Sequence, residues 1–136
     1  MNVNWRAIPQ ANNTLAVLSA ACEVHGYHIE VTDRPRPDVT IYSLNSINER
    51  LYRDEIAGAD CITIAGGPHP SACYREAAQY ADYVVVGEGE YTLPALLSAL
   101  EEGKEPPPGV ATAAGYIPAR HTVLLDGYPP FSRITG

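Results

Sequence analysis

Three short segments hold the groups in this chain best suited to chemistry: Ser43-Leu44-Asn45-Ser46, Gly66-Gly67-Pro68-His69 and Gly87-Glu88-Gly89-Glu90. The first offers hydroxyls and amides. The second, following Ala65, offers bare backbone beside an imidazole. The third offers backbone N–H groups and two carboxylates. Together they suit a large polar ligand with ring nitrogens and amide side chains, held by many modest contacts. A free phosphate is repelled by Glu88 and Glu90. Each group also has a plainer role. Ser43, Asn45 and Ser46 can cap a helix, the glycine pair can make a tight turn, and acids favour a helix start.

Other chemistries find little support. Ser71, near His69, lacks the Gly-x-Ser-x-Gly surroundings of an activated nucleophile. The first strand runs into Ile8-Pro9-Gln10-Ala11, so no dinucleotide fingerprint follows it. The acidic residues of a phosphoacceptor site are missing, as is metal spacing of the His-x-x-x-His kind. His121 reads as a solvated side chain.

The elements that must position these segments follow from the apolar pattern. Val3 to Ile8, His28 to Thr32, Val39 to Ser43, Cys61 to Ala65 and Tyr83 to Val86 read as strands. Asn12-Asn13 can cap a helix that Thr14 opens, with Leu15, Leu18, Cys22 and His25 at helical spacing and Gly26 at its end. Arg34-Pro35-Arg36-Pro37 cannot be regular structure. Asn45 or Ser46 can cap a helix reaching about Ile56, and Gly58 stops it. A helical pattern follows Gly66-Gly67-Pro68, and a last helix spans Leu93 to Leu100 with Pro94 in its first turn and Gly103 closing it. Strands alternating with helices predict an α/β, doubly wound parallel sheet with a flavodoxin-like order, the first strand in the middle. Near-continuous apolar strands fit a sheet covered on both faces. The three glycine-bearing or polar segments then converge at the carboxyl ends of the strands, where open sheets bind ligands.

Residues 1–104 form the expected α/β domain, and residues 105–136 a hairpin and linker. Pro106-Pro107-Pro108-Gly109 marks the break. Val110 to Tyr116 and Thr122 to Leu125 read as a hairpin across Ile117 to His121, and Pro129-Pro130 lies in a tail without periodicity. A net charge of -7 with a single lysine, Lys104, argues against nucleic-acid binding. No apolar run has the length of a membrane span and no signal peptide precedes the domain, so the expected location is the cytoplasm. Cys22, Cys61 and Cys73 read as buried free thiols.

Ile64 to Ala72 (IAGGPHPSA) and Ala81 to Leu97 (ADYVVVGEGEYTLPALL) closely resemble the cobalamin-binding domain at the N-terminus of many radical S-adenosylmethionine enzymes. The likeness is strongest from about Val39 to Leu100. It implies a Rossmann-like cobalamin-binding fold and a module that presents cobalamin to a catalytic domain, in the larger enzyme for methyl transfer or another radical reaction. By position, Ser43 matches the serine that faces the cofactor's lower base, with Leu44 and Asn45 beside it as further candidate contacts. Gly66 and Gly67 match the glycine pair lining its nucleotide tail, with Ala65, Pro68 and His69 beside them as further candidate contacts, and Gly87 to Glu90 matches the loop near the corrin edge. The Asp-x-His-x-x-Gly motif that supplies cobalt with a histidine is absent, so the resemblance implies cobalamin without that ligand. Such an enzyme also carries a 4Fe-4S cluster on Cys-x-x-x-Cys-x-x-Cys and uses S-adenosylmethionine. That cysteine motif is absent here, so the chain is expected to be a truncated piece whose partner is the C-terminal radical domain. Without it, the hairpin and tail are expected to self-associate into a homo-oligomer. The alternative is a scaffold domain of the same fold that has lost cobalamin. A bulky residue at Gly66 or Gly67 is expected to block the ligand and spare the fold.

Overall fold

A computed structural model of the chain describes residues 1–8 and 13–118. A seven-stranded, mostly parallel sheet runs in the order β2-β1-β3-β4-β5-β6-β7. Its strands are β1 (Val3–Arg6), β2 (Ile29–Thr32), β3 (Val39–Ser43), β4 (Ile62–Gly66), β5 (Tyr83–Val85), β6 (Val110–Thr112) and β7 (Gly115–Tyr116). The first five are parallel in the flavodoxin-like order, with β1 between β2 and β3. Helices α1 (Asn13–Val24), α2 (Glu49–Ala57), α3 (Pro68–Ala72), α4 (Tyr74–Ala77) and α5 (Gly89–Glu102) complete the mixed α/β architecture.

Two apolar layers follow from strand alternation. Trp5, Ile41, Ile64 and Val85 point to one side and pack with Leu93 and Leu97 of α5. Tyr42, Ala65 and Val84 point to the other and pack with Ile56 of α2 and Ala77 of α4. All five residues of β3 are buried, as a central strand covered on both faces requires. Cys22 sits fully buried in the first layer, where desolvation pushes its thiol up to about 11. Cys61 and Cys73 are only partly buried, because each lies at the edge of an element rather than within its packed face.

The Arg34 to Pro37 segment has a specific task. Parallel strands are usually joined by a dozen or more residues, commonly a helix. Here β2 reaches β3 through residues 33–38 alone. The buried Asn4 amide holds this strap across β1, donating to the carbonyls of Arg36 (3.1 Å), Pro37 (3.1 Å) and Val39 (3.0 Å). The Thr40 hydroxyl accepts from the Arg36 N–H at 2.8 Å and donates to the Arg36 carbonyl at 2.7 Å. Polar side chains on two strands thus satisfy a backbone that no helix satisfies.

Three boundaries differ from the sequence expectation. The last helix begins at Gly89, not Leu93, so Pro94 lies beyond the first turn. The apolar repeat starts late, but Glu88 adopts an extended cap conformation and Glu90 favours the first turn electrostatically. Proline there removes the N–H that the Glu90 carbonyl would otherwise accept. The helical run after Gly67 is two short helices, broken at Cys73 (φ -122, ψ 46). Val110 to Tyr116, expected as one hairpin arm, is itself a hairpin that turns at Ala113-Ala114 and pairs Ala111 with Tyr116. β6 pairs antiparallel with β5, so the hairpin extends the main sheet. The Asn12 cap, the second hairpin arm at Thr122 to Leu125, His121 and the tail lie outside the described residues.

On the α2 side, an ion pair ties the carboxyl end of β1 to the helix. Arg6 reaches Glu55 through Nε (3.0 Å) and Nη2 (3.1 Å), and the Tyr42 hydroxyl donates to the same carboxylate at 2.7 Å. The Arg6 guanidinium also sits 5.1 Å from the Tyr52 ring centre. Partial burial raises the Glu55 pKa, but the hydrogen bonds from Arg6 and Tyr42 outweigh it and hold the carboxyl below its ordinary value. A depressed acid adds stability that is fully present above the ordinary glutamate pKa and is lost as pH falls through the lowered one. Glu55→Gln is therefore expected to cost about 1 kcal/mol at neutral pH and to lose that difference in acid. Urea unfolding of both proteins across pH checks this.

Candidate functional site

A cavity of about 340 Å³ opens at the carboxyl edge of the sheet, on the side covered by α1 and α5. Its walls are hydrocarbon: Trp5, Leu18, Ile41, Ile64, Val85 and Leu93. Its rim is polar or bare: Ser43 from the end of β3, Gly66 from the end of β4 and Gly67 just after it, and Gly87, Glu88, Gly89 and Glu90 around the start of α5. The three turns picked out from sequence thus meet on one opening, as the register dictates. Ser43 pairs with Gly66 across β3 and β4, and Ala65 pairs with Val84, one strand further on.

Their closeness has a backbone cause. The Leu44 N–H donates to the Gly66 carbonyl at 2.8 Å. Gly67 has φ +113, and a Cβ placed there would lie 2.5 Å from the Leu44 carbonyl oxygen. Only glycine allows this approach. Gly66 is different. A Cβ there would meet nothing nearer than the Val85 side chain at 3.9 Å. The expectation that bulk at either glycine spares the fold is therefore corrected for Gly67, whose neighbour is backbone that cannot swing aside.

Leu44, Asn45, Ala65 and Pro68 do not line the cavity. Leu44 (1 % exposed) and Ala65 (fully buried) belong to the second apolar layer. Asn45 serves its own turn. Its Oδ1 accepts the N–H groups of Ile47 and Asn48 at 2.9 Å each, and Asn48 Oδ1 accepts the Asn45 N–H at 2.8 Å. Pro68 opens α3 at the surface. His69 lies within α3, and its side chain falls outside the described part.

Sequence reasoning missed the walls. Trp5 and Leu18 come from the first strand and helix and were read only as parts of those elements. Nothing in their local pattern marks them as lining: Trp5 sits within β1 and Leu18 in the middle of α1. Among the described residues no group of three or more His, Cys, Asp or Glu is placed to hold a metal ion. None of the described helices is long and apolar enough to cross a membrane.

A hydrocarbon slot with a glycine rim at strand carboxyl ends suits a flat organic ring attached to a larger polar body. Residues 39–97 match the family model described as the B12 binding domain. The B12 binding domain match runs from β3 into α5 and includes Ser43, Gly66, Gly67 and Gly87 to Glu90. Trp5 and Leu18 precede it. The match supports cobalamin binding. No curated protein matches the chain.

Proposed function

We propose that this chain is a cobalamin-binding module. The lower benzimidazole base occupies the hydrocarbon slot, and the corrin lies over the rim made by the three turns. One observation carries the reading: a glycine-rimmed cavity of about 340 Å³ whose whole rim lies within the segment that matches the B12 binding domain. That volume suits a nucleotide base and is too small for a corrin. The residues present fit the group. The walls bury an apolar ring, Ser43 offers a hydroxyl, and Gly66 leaves room where any side chain would project. Glu88 and Glu90 are exposed at the rim, where they can accept hydrogen bonds from the amide N–H groups that fringe a corrin. Bound cobalamin would supply its cobalt-centred chemistry, and the chain's part is placement and exclusion of water.

The same reading makes the chain part of a radical S-adenosylmethionine enzyme, with a 4Fe-4S cluster on a separate radical domain and this module presenting cobalamin to it in the cytoplasm. The likeness of Ile64 to Ala72 and Ala81 to Leu97 to that enzyme group supports this. Equilibrium dialysis against hydroxocobalamin tests the core of the proposal. One cofactor per chain with a dissociation constant of about 10 µM or tighter is expected. No binding at tenfold higher concentration overturns it in favour of a scaffold domain that has lost cobalamin.

A further inference from the structure

We propose that Ser71 is a positioning residue for the cobalamin slot: its hydroxyl holds the turn after β5 where Gly87 to Glu90 complete the rim. The inference rests on the reading of the slot given above. Ser71 lies on α3, sixteen positions before Gly87, and is absent from the slot's lining. Its Oγ accepts the Gly87 N–H at 2.8 Å.

That bond matters because little else restrains Gly87. The residue is exposed, it adopts φ +83, and a Cβ built on it would touch nothing within 4 Å. Packing therefore does not choose its conformation, and a glycine free of packing visits many. The contrast is with Gly67, pressed against Leu44. Ser71 is itself anchored to that fixed part, since its N–H donates to the Gly67 carbonyl at 3.1 Å. A continuous path results: Leu44 packs on Gly67, Gly67 holds Ser71, and Ser71 holds Gly87. Through it the first two turns fix the third. Gly87 directly precedes Glu88, the extended cap of α5, so its placement sets where Glu88, Gly89 and Glu90 meet the opening. A rim held in its binding geometry beforehand spares the ligand the cost of ordering it.

Amide hydrogen exchange on the ligand-free chain reads the bond itself. Ser71→Ala is expected to speed exchange at Gly87 by about tenfold and Ser71→Thr, which keeps the hydroxyl, to restore it. Hydroxocobalamin affinity is expected to fall about three- to tenfold in Ser71→Ala and recover in Ser71→Thr, with the thermal midpoint unmoved. Unchanged exchange at Gly87 overturns the proposal whether or not cobalamin binds. Faster exchange with unaltered affinity overturns the positioning role. A wild-type chain that binds no cobalamin overturns the functional reading, while the exchange comparison still decides the bond.

Discussion

Gly67→Ala is expected to unfold far more easily than the parent chain, losing about 3 kcal/mol. Two costs combine. A side chain at φ +113 is strained by itself, at about 1–2 kcal/mol. The new methyl would also lie 2.5 Å from the Leu44 carbonyl oxygen and 3.0 Å from the Leu44 nitrogen. Both are backbone atoms. Leu44 cannot yield, because its N–H is bonded to Gly66 and its side chain is buried in the second apolar layer. The turns after β3 and β4 must therefore part. In a domain of this size the midpoint should fall by about 10 °C. Differential scanning calorimetry checks the figure, and a fall of only a degree or two would mean that the two turns are not in the contact described.

Gly66→Val should do the reverse: little to the fold and much to the ligand. Gly66 ends β4, where a β-branched residue is at home. Its Cβ would meet only Val85, the side chain at 3.9 Å and the carbonyl oxygen at 4.0 Å, both ordinary contacts. Stability should stay within about 1 kcal/mol of the parent. The added methyl groups occupy space beside the slot's mouth, so hydroxocobalamin affinity should fall about a hundredfold, roughly 2.7 kcal/mol. Paired circular dichroism and dialysis separate the two effects. Full affinity in a well-folded Gly66→Val protein would place the ligand elsewhere. The adjacent glycines thus answer different questions: one reports whether the turns touch, the other whether the slot is used.

The apolar strands were legible because a buried parallel strand leaves a nearly unbroken hydrocarbon run, as VTIYS and CITIAG do. Alternation with helices pointed to a doubly wound parallel sheet, while the strand order was an expectation that handedness rules narrow but do not fix. The convergence of Ser43, Gly66-Gly67 and Gly87 to Glu90 was legible for the same reason, since parallel strands deliver their carboxyl ends to one edge. Side-chain direction was less so. Leu44 and Ala65 sit in the right turns but face the second layer, and a one-residue step along a strand reverses the face. Asn45 or Ser46 was read as the cap of α2, but that helix starts at Glu49 with Asn48 in the cap position, and the Asn45 side chain closes the turn before it. The start of α5 was hidden because Gly89 and Glu90 carry no apolar signal; conformation at Gly87 and Glu88 sets it instead. The slot's walls were hidden for a deeper reason. Trp5 and Leu18 are core residues by every local criterion, and only the gap left between α1, α5 and the sheet edge makes them lining. The strap over β1 was legible as irregular chain, but not the Asn4 amide that holds it.

The chain's single tryptophan, Trp5, forms part of the slot's wall. Its fluorescence, followed while hydroxocobalamin or cobinamide is added, asks the central question directly, because cobinamide keeps the corrin and lacks the nucleotide base. The account predicts saturable quenching by hydroxocobalamin at one equivalent and binding of cobinamide at least tenfold weaker. Equal affinity for the two, or no saturable quenching by either, would contradict it.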